Sequence, residues 1–185
     1  MYSSPWHAVM STSAGRLFDG VSAILGIRRK STFEGEASMA LEFVAEEYQK
    51  NRLKNAKKMP EIPTYELLKE GNDRLLLNTG SLIKEILYRR LNGEDSDRLA
   101  YIFHQELARQ ITASCVKIRE QSGCNKAALS GGVFQNRLLL ELTDHMLKQQ
   151  GFEVLKHQLV PPNDGGIALG QAVYAMAYLD RNRNK

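Results

Sequence analysis

The sequence is short of the residues that make cross-links and metal clusters. Its 185 residues include two cysteines, Cys115 and Cys124, with no CxxC pattern and no Cys/His cluster. That leaves nothing from which to build a zinc site or a disulfide framework. No apolar run approaches the roughly 20 residues of a membrane span, and the first twenty residues lack a basic segment followed by an apolar one. Neither a span nor a secretory leader is expected, and the chain reads as cytoplasmic. Charge of one sign is scarce too, since 25 Lys and Arg face 21 Asp and Glu for a formal charge of +4, which argues against nucleic acid as a partner. The longest basic stretch, Lys50 to Lys58, contains no aromatic ring to stack on a base and reads as a solvated helix end and loop. No Ser/His/Asp or Cys/His arrangement is visible in the spacing.

What is present is the composition of a globular protein, 43% hydrophobic and 25% charged, in a length that fits one domain spanning residues 1–185. Helical periodicity places Leu17, Val21, Ile24 and Leu25 on one face of a helix from Ser13 to Gly26. A second helix is expected over Glu36–Gln49, with Ala40, Leu41, Val44 and Tyr48 inward and Glu42, Glu46 and Glu47 outward; Pro60 and Pro63 follow it as breakers. Leu75 to Leu77 suits a strand, and Thr79–Leu91 and Ser96–Ser122 suit helices. The stripe Leu99, Ile102, Phe103, Leu107, Ile111, Cys115 and Ile118 is the expected buried face of the longer one, with Cys115 packing as a small hydrophobe and His104 a structural or surface histidine beside it. The last third alternates strand (Lys126–Ser130), glycine turn, helix, strand (Glu153–Lys156), glycine turn and helix (Ile167–Leu179). This predicts an α/β layer with ligand chemistry at the carboxyl ends of its strands.

Three segments carry candidate chemistry, each with a purely structural counterpart. In Leu129–Asn136 (LSGGVFQN), Gly131 and Gly132 let backbone approach a phosphate or nucleoside closely, or simply make a tight turn. Asn136 either reaches a ligand over those glycines or hydrogen-bonds the helix start. In Val160–Gly166 (VPPNDGG), Asp164 stands before two glycines that would leave room for a metal or a phosphate, or serves as a helix cap. In Ser11–Asp19, Gly15 and Asp19 are four residues apart on one helix face, suited to a sugar hydroxyl against the bare glycine, or to an ordinary capped helix.

Together the strings STSAGRLFDGVSAILG, FEGEASMALE, ALSGGVFQNRLLLE and VPPNDGGIALGQA resemble the C-terminal part of the hydrogenase-maturation carbamoyltransferase family HypF. The resemblance runs from about Ser11 to Tyr178 and is thinnest between Asn51 and Asp95. It implies one lobe of a Kae1-like domain, a helix-rich α/β fold of the actin, hexokinase and Hsp70 type. It further implies that Gly15 and Asp19 hold a nucleoside ribose, that Gly131, Gly132 and Asn136 form a nucleotide-contacting turn, and that Asp164 ligates a divalent metal (iron, zinc or magnesium). The implied reaction activates carbamoyl phosphate with ATP to a carbamoyl adenylate. The carbamoyl group then passes to the C-terminal cysteine of a HypE-like acceptor protein, toward the cyanide ligand of the [NiFe]-hydrogenase centre. The attacking thiolate belongs to the acceptor, so no nucleophile is required from this chain.

Other parts of the family pattern have no counterpart in these residues: the acylphosphatase-like segment, the Cys-rich zinc fingers, the YrdC-like domain, and the first Kae1-like lobe with its metal-binding histidine pair. His7, His104, His145 and His157 do not reproduce that pair. The expectation is that the chain alone neither turns over nor binds metal tightly and depends on those missing parts. Two further readings stay open. One is a relative of the tRNA threonylcarbamoyl-transferases, and the other is a non-catalytic interaction fragment.

Overall fold

The computed structural model describes residues 11–54, 64–70 and 74–183; His7, the second half of the basic stretch, Pro60 and Pro63 lie outside them. The chain divides into two compact units, one within Met1–Lys57 and Ile83–Tyr101, the other within Lys58–Leu82 and Ile102–Lys185.

In the first unit, α1 (Ala14–Ile24) packs against α2 (Glu36–Lys54). Ser13 caps α1, its side chain accepting from the Arg16 N–H at 3.5 Å. Gly26 ends the helix at φ +74°. There the Gly26 and Ile27 amides bond back to the Ala23 and Ser22 carbonyls at 3.1 and 2.9 Å, the paired closure that only a left-handed residue allows. Phe18, Val21, Leu25, Ala37, Leu41 and Ala45 are buried. Burial thus extends to Phe18 and Ser22, whereas Leu17 and Ile24 are half-buried. Glu42, expected outside, is buried. Thr32 donates both its N–H and its hydroxyl to Glu36 at 2.6 and 3.0 Å, and the backbone bond, ahead of the hydroxyl bond and Arg28, holds that carboxyl below its ordinary range.

The second unit opens with an antiparallel hairpin, β1 (Leu68–Glu70) and β2 (Arg74–Leu76), in which Leu68 pairs with Leu76. The apolar run marked only its second strand. α3 (Thr79–Leu91) and α4 (Ser96–Ser122) each contribute to both units. Along α4, Leu99, Ile102, Phe103 and Leu107 are buried as expected, but Ile118 is 51% exposed, so the buried stripe ends before the helix does.

A parallel pair follows, β3 (Lys126–Leu129) and β4 (Glu153–Lys156), with Lys126 opposite Glu153 and Leu129 opposite Lys156. The crossover between them is a short 3₁₀ turn, Gly132–Gln135, and α5 (Arg137–Gln149). Ala127, Leu129, Leu147 and Phe152 form its core, with Cys115, Val116 and Leu140 packed against them. Burial pushes the Cys115 thiol up, in keeping with its part as a small hydrophobe. The Arg119 guanidinium lies 4.3 Å from the Phe152 ring centre and donates to Asn125 and to the Gln150 carbonyl. Asn125 in turn donates to the Gly151 carbonyl at 2.7 Å, which fixes the α5–β4 corner. After β4, a 3₁₀ turn at Asp164–Gly166 leads into α6 (Ile167–Arg183), whose Leu169, Val173, Tyr174 and Met176 are exposed.

Candidate functional site

Parallel pairing brings the ends of β3 and β4 side by side, so the residues after Leu129 and those after Lys156 leave the sheet at one edge. Both glycine-bearing loops of the second unit depart from that edge.

The first departure is the LSGGVFQN turn. Gly131 sits at φ +98°, ψ 160°, a region open in practice to glycine alone. A Cβ placed on Gly131 or Gly132 would meet nothing within 4 Å. The bare backbone therefore faces open space, and it is the chain direction that demands glycine at 131. Asn136 breaks the run between the 3₁₀ turn and α5. Its Oδ1 accepts from the Leu139 N–H at 2.8 Å, and its Nδ2 stands 3.0 Å from His104 Nε2. With Nδ2 donating, Nε2 of the buried His104 accepts, which places that ring's proton on Nδ1. Asn136 is itself buried, so its amide anchors the turn to α4 and caps α5.

The second departure is VPPNDGG. Asn163 supplies the cap, its Oδ1 accepting from the Gly165 N–H at 3.0 Å, while the Gly166 N–H bonds the Asn163 carbonyl at 3.0 Å. Asp164, free of that task, is the exposed first residue of the turn. A Cβ on Gly166 would lie 2.8 Å from the Pro161 carbonyl oxygen and 2.9 Å from Val160 Cγ1; one on Gly165 would meet Asn163 Oδ1 at 3.1 Å. The room these glycines make is filled by their own loop.

As to a metal, the described residues contain no group of three or more His, Cys, Asp or Glu side chains able to hold one. Asp164 is a lone carboxylate there, and these residues do not form a metal site by themselves.

Gly15 and Asp19 belong to the other unit. Gly15 is exposed in the first turn of α1, and Asp19, one turn on, pairs with Arg16 at 3.7 Å.

Sequence spacing did not show two features of the sheet edge. Ser130, one residue past β3, and His157, one residue past β4, meet with Oγ and Nε2 2.8 Å apart, both exposed. Only the parallel register joins residues so far apart in the chain. Beside them lies a cleft of ≈ 260 Å³ lined by Leu129, Phe134, Leu140, His157, Val160 and Pro161, among others. Lys156, the neighbour of His157, is turned to Asp144 of α5 at 2.8 Å, and Lys148 reaches the same carboxylate at 3.0 Å. Burial acts to raise the Asp144 carboxyl, but the hydrogen bonds from Lys156 and Lys148 outweigh it and hold it below its ordinary range. A second cleft, ≈ 610 Å³, runs along Tyr65, Leu67, Leu75, Arg109 and Thr112. There Arg109 binds the buried Glu106 and donates to the Tyr65 carbonyl at 2.6 Å; no sequence-nominated residue lines it.

Residues 1–171 match the family described as carbamoyltransferase, Kae1-like domain, second subdomain. The chain is 35% identical over 173 residues to a probable carbamoyltransferase HypF of Methanocaldococcus jannaschii, covering 94% of this chain and 20% of that protein. It is 36% identical over 178 residues to the carbamoyltransferase HypF of Rhodobacter capsulatus, covering 95% and 21%. Its structure is similar to full-length HypF crystallised in a phosphate- and nucleotide-bound form, with a TM-score of 0.77, 38% identity, and coverage of 90% of this chain and 20% of that one. The chain thus spans about a fifth of the length of these relatives. The helix-rich α/β fold and these likenesses agree: the chain belongs to the HypF carbamoyltransferase family and corresponds to the second subdomain of its Kae1-like domain.

Proposed function

We propose that this chain is a nucleotide-side lobe of a carbamoyltransferase that uses ATP and carbamoyl phosphate and delivers the carbamoyl group to the C-terminal cysteine of a HypE-like protein. The observation that carries the reading is the LSGGVFQN turn, whose bare glycine backbone faces open space at the carboxyl edge of parallel strands. In α/β folds this edge is where nucleotides are received. On this reading Gly131 and Gly132 admit the phosphate-bearing part of the nucleotide. Asn136 holds the turn in shape through α4 and α5, and Gly15 and Asp19 offer a flat helix surface and a carboxylate to ribose hydroxyls. Asp164 would give one oxygen ligand to a divalent cation whose other ligands come from outside the described residues. The work of these groups is to orient an activated carbamoyl group and balance phosphate charge. The protein works in the cytoplasm together with the rest of the carbamoyltransferase.

The test is a titration of the isotope-labelled chain with ATP and magnesium, followed by amide shifts. The reading expects shifts centred on Gly15, Asp19, Gly131, Gly132, Asn136 and Asp164, reduced in Gly132→Val. Shifts spread over unrelated surfaces, or none at millimolar nucleotide, count against a preformed half-site.

A further inference from the structure

His104 has no part in the reading above, and its place beside the apolar stripe of α4 gives it none. In the structure its ring is fully buried, edge-on to Phe103 with 5.6 Å between ring centres, and its Nε2 stands 3.0 Å from Asn136 Nδ2. The Asn136 amide faces two ways. The Leu139 N–H can be met only by an acceptor, so Oδ1 turns to it at 2.8 Å, and the atom left toward α4 is Nδ2, which can only donate. The ring nitrogen opposite must then offer a lone pair. A flipped amide would set Nδ2 against the Leu139 N–H and Oδ1 against Nε2, and both bonds would be lost together. The backbone of the same residue closes the glycine turn, its N–H bonding the Val133 carbonyl at 3.1 Å, and begins α5, its carbonyl accepting from the Leu140 N–H at 3.0 Å. Within the turn the Phe134 N–H bonds the Gly131 carbonyl at 3.0 Å. Nothing packs where side chains on Gly131 and Gly132 would stand, so the turn is held from its Asn136 end.

We infer that His104 is the positioning residue of the open glycine turn. Its Nε2 lone pair, presented from a buried point on a long helix, selects one orientation of the Asn136 amide. Asn136 in that orientation ties Val133 of the turn to the first turn of α5. A group behind the turn thus sets the backbone in front of it, as supporting shells do for sites built on rigid elements. The inference deepens the nucleotide reading and rests on it for what the turn receives; the hold of His104 on the turn is measurable without any ligand.

The test compares the isotope-labelled full chain with His104→Gln, which carries an amide oxygen to about the place of Nε2, and His104→Leu, which fills the space without an acceptor. In the parent, long-range nitrogen–proton spectra should show His104 as a neutral ring protonated at Nδ1. In His104→Leu, amide hydrogen exchange at Phe134 and Asn136 should quicken roughly 10-fold, the worth of one buried hydrogen bond, with the amides of β3 and β4 unchanged. The apparent affinity for ATP with magnesium should fall by a similar factor. His104→Gln should restore both to within about threefold of the parent. A proton on Nε2, exchange raised equally in the strands and the turn, ATP affinity unchanged in His104→Leu, or His104→Gln behaving as His104→Leu would overturn the inference. Should His104→Leu fail to fold, the parent tautomer and the turn exchange of His104→Gln decide it. A parent that binds no ATP, with turn exchange raised in His104→Leu and recovered in His104→Gln, removes the nucleotide reading and keeps the hold of His104 on the turn.

Discussion

The turn after β3 and the loop after β4 each carry two glycines, just past the strand in one and just before α6 in the other, and the surroundings of those glycines differ. Around Gly131 and Gly132 there is open space, and at Gly131 glycine is required by the backbone angle. Around Gly166 the missing side chain is occupied by the Pro161 carbonyl and Val160. Paired glycines therefore leave open backbone in one turn and a loop folded onto itself in the other. Pro161 stands against both glycines of that loop, its ring 3.3 Å from a Cβ on Gly165 and its carbonyl oxygen 2.8 Å from one on Gly166.

The contrast can be broken most forcefully at the anchor of the open turn. Asn136→Ala removes the α5 cap and the amide donor to buried His104, and should cost about 2–4 kcal/mol of unfolding free energy in urea denaturation. Asn136→Asp, which keeps the cap but not the donor, should recover part of that loss. Next in size is Gly131→Ala, which forces a side chain into a glycine-only region and should cost about 1–3 kcal/mol despite the space around it. The smallest effect concerns the ion pairs that tie α5 to β4 between the two turns, where Asp144 of α5 holds Lys156 at the end of β4. Its folded carboxyl lies below its ordinary range, so the stabilisation is complete above the unfolded value near pH 3.9 and is lost as pH falls through the lower folded value. Asp144→Asn should flatten that part of the stability–pH curve by under about 1 kcal/mol.

Much of this was legible in the sequence because it is local. The helices, the end of the first one at Gly26 and the strand–turn–helix order of the last third follow from periodicity and from single residues. The hairpin's first strand was missed because Leu68–Glu70 is a three-residue strand, too short to show an alternation. Glu42 broke the expected pattern because the bulk of the neighbouring elements, which buries it, is not written in its own helix. At the site, the glycine turns were visible. Which of them is open was not, since that depends on where Val160 and Pro161 fold. The Ser130–His157 contact was hidden for the same reason, being made by strand register across 27 positions.

The most direct measurement is a side-by-side comparison of urea unfolding for Gly132→Ala and Gly166→Ala. The account predicts that Gly132→Ala stays within about 0.5 kcal/mol of the parent, because its Cβ enters open space. Gly166→Ala should lose about 1–3 kcal/mol, because its Cβ would meet a backbone oxygen at 2.8 Å. Equal effects, or a larger loss at Gly132, would contradict the claim that one turn is open and the other is filled by its own chain.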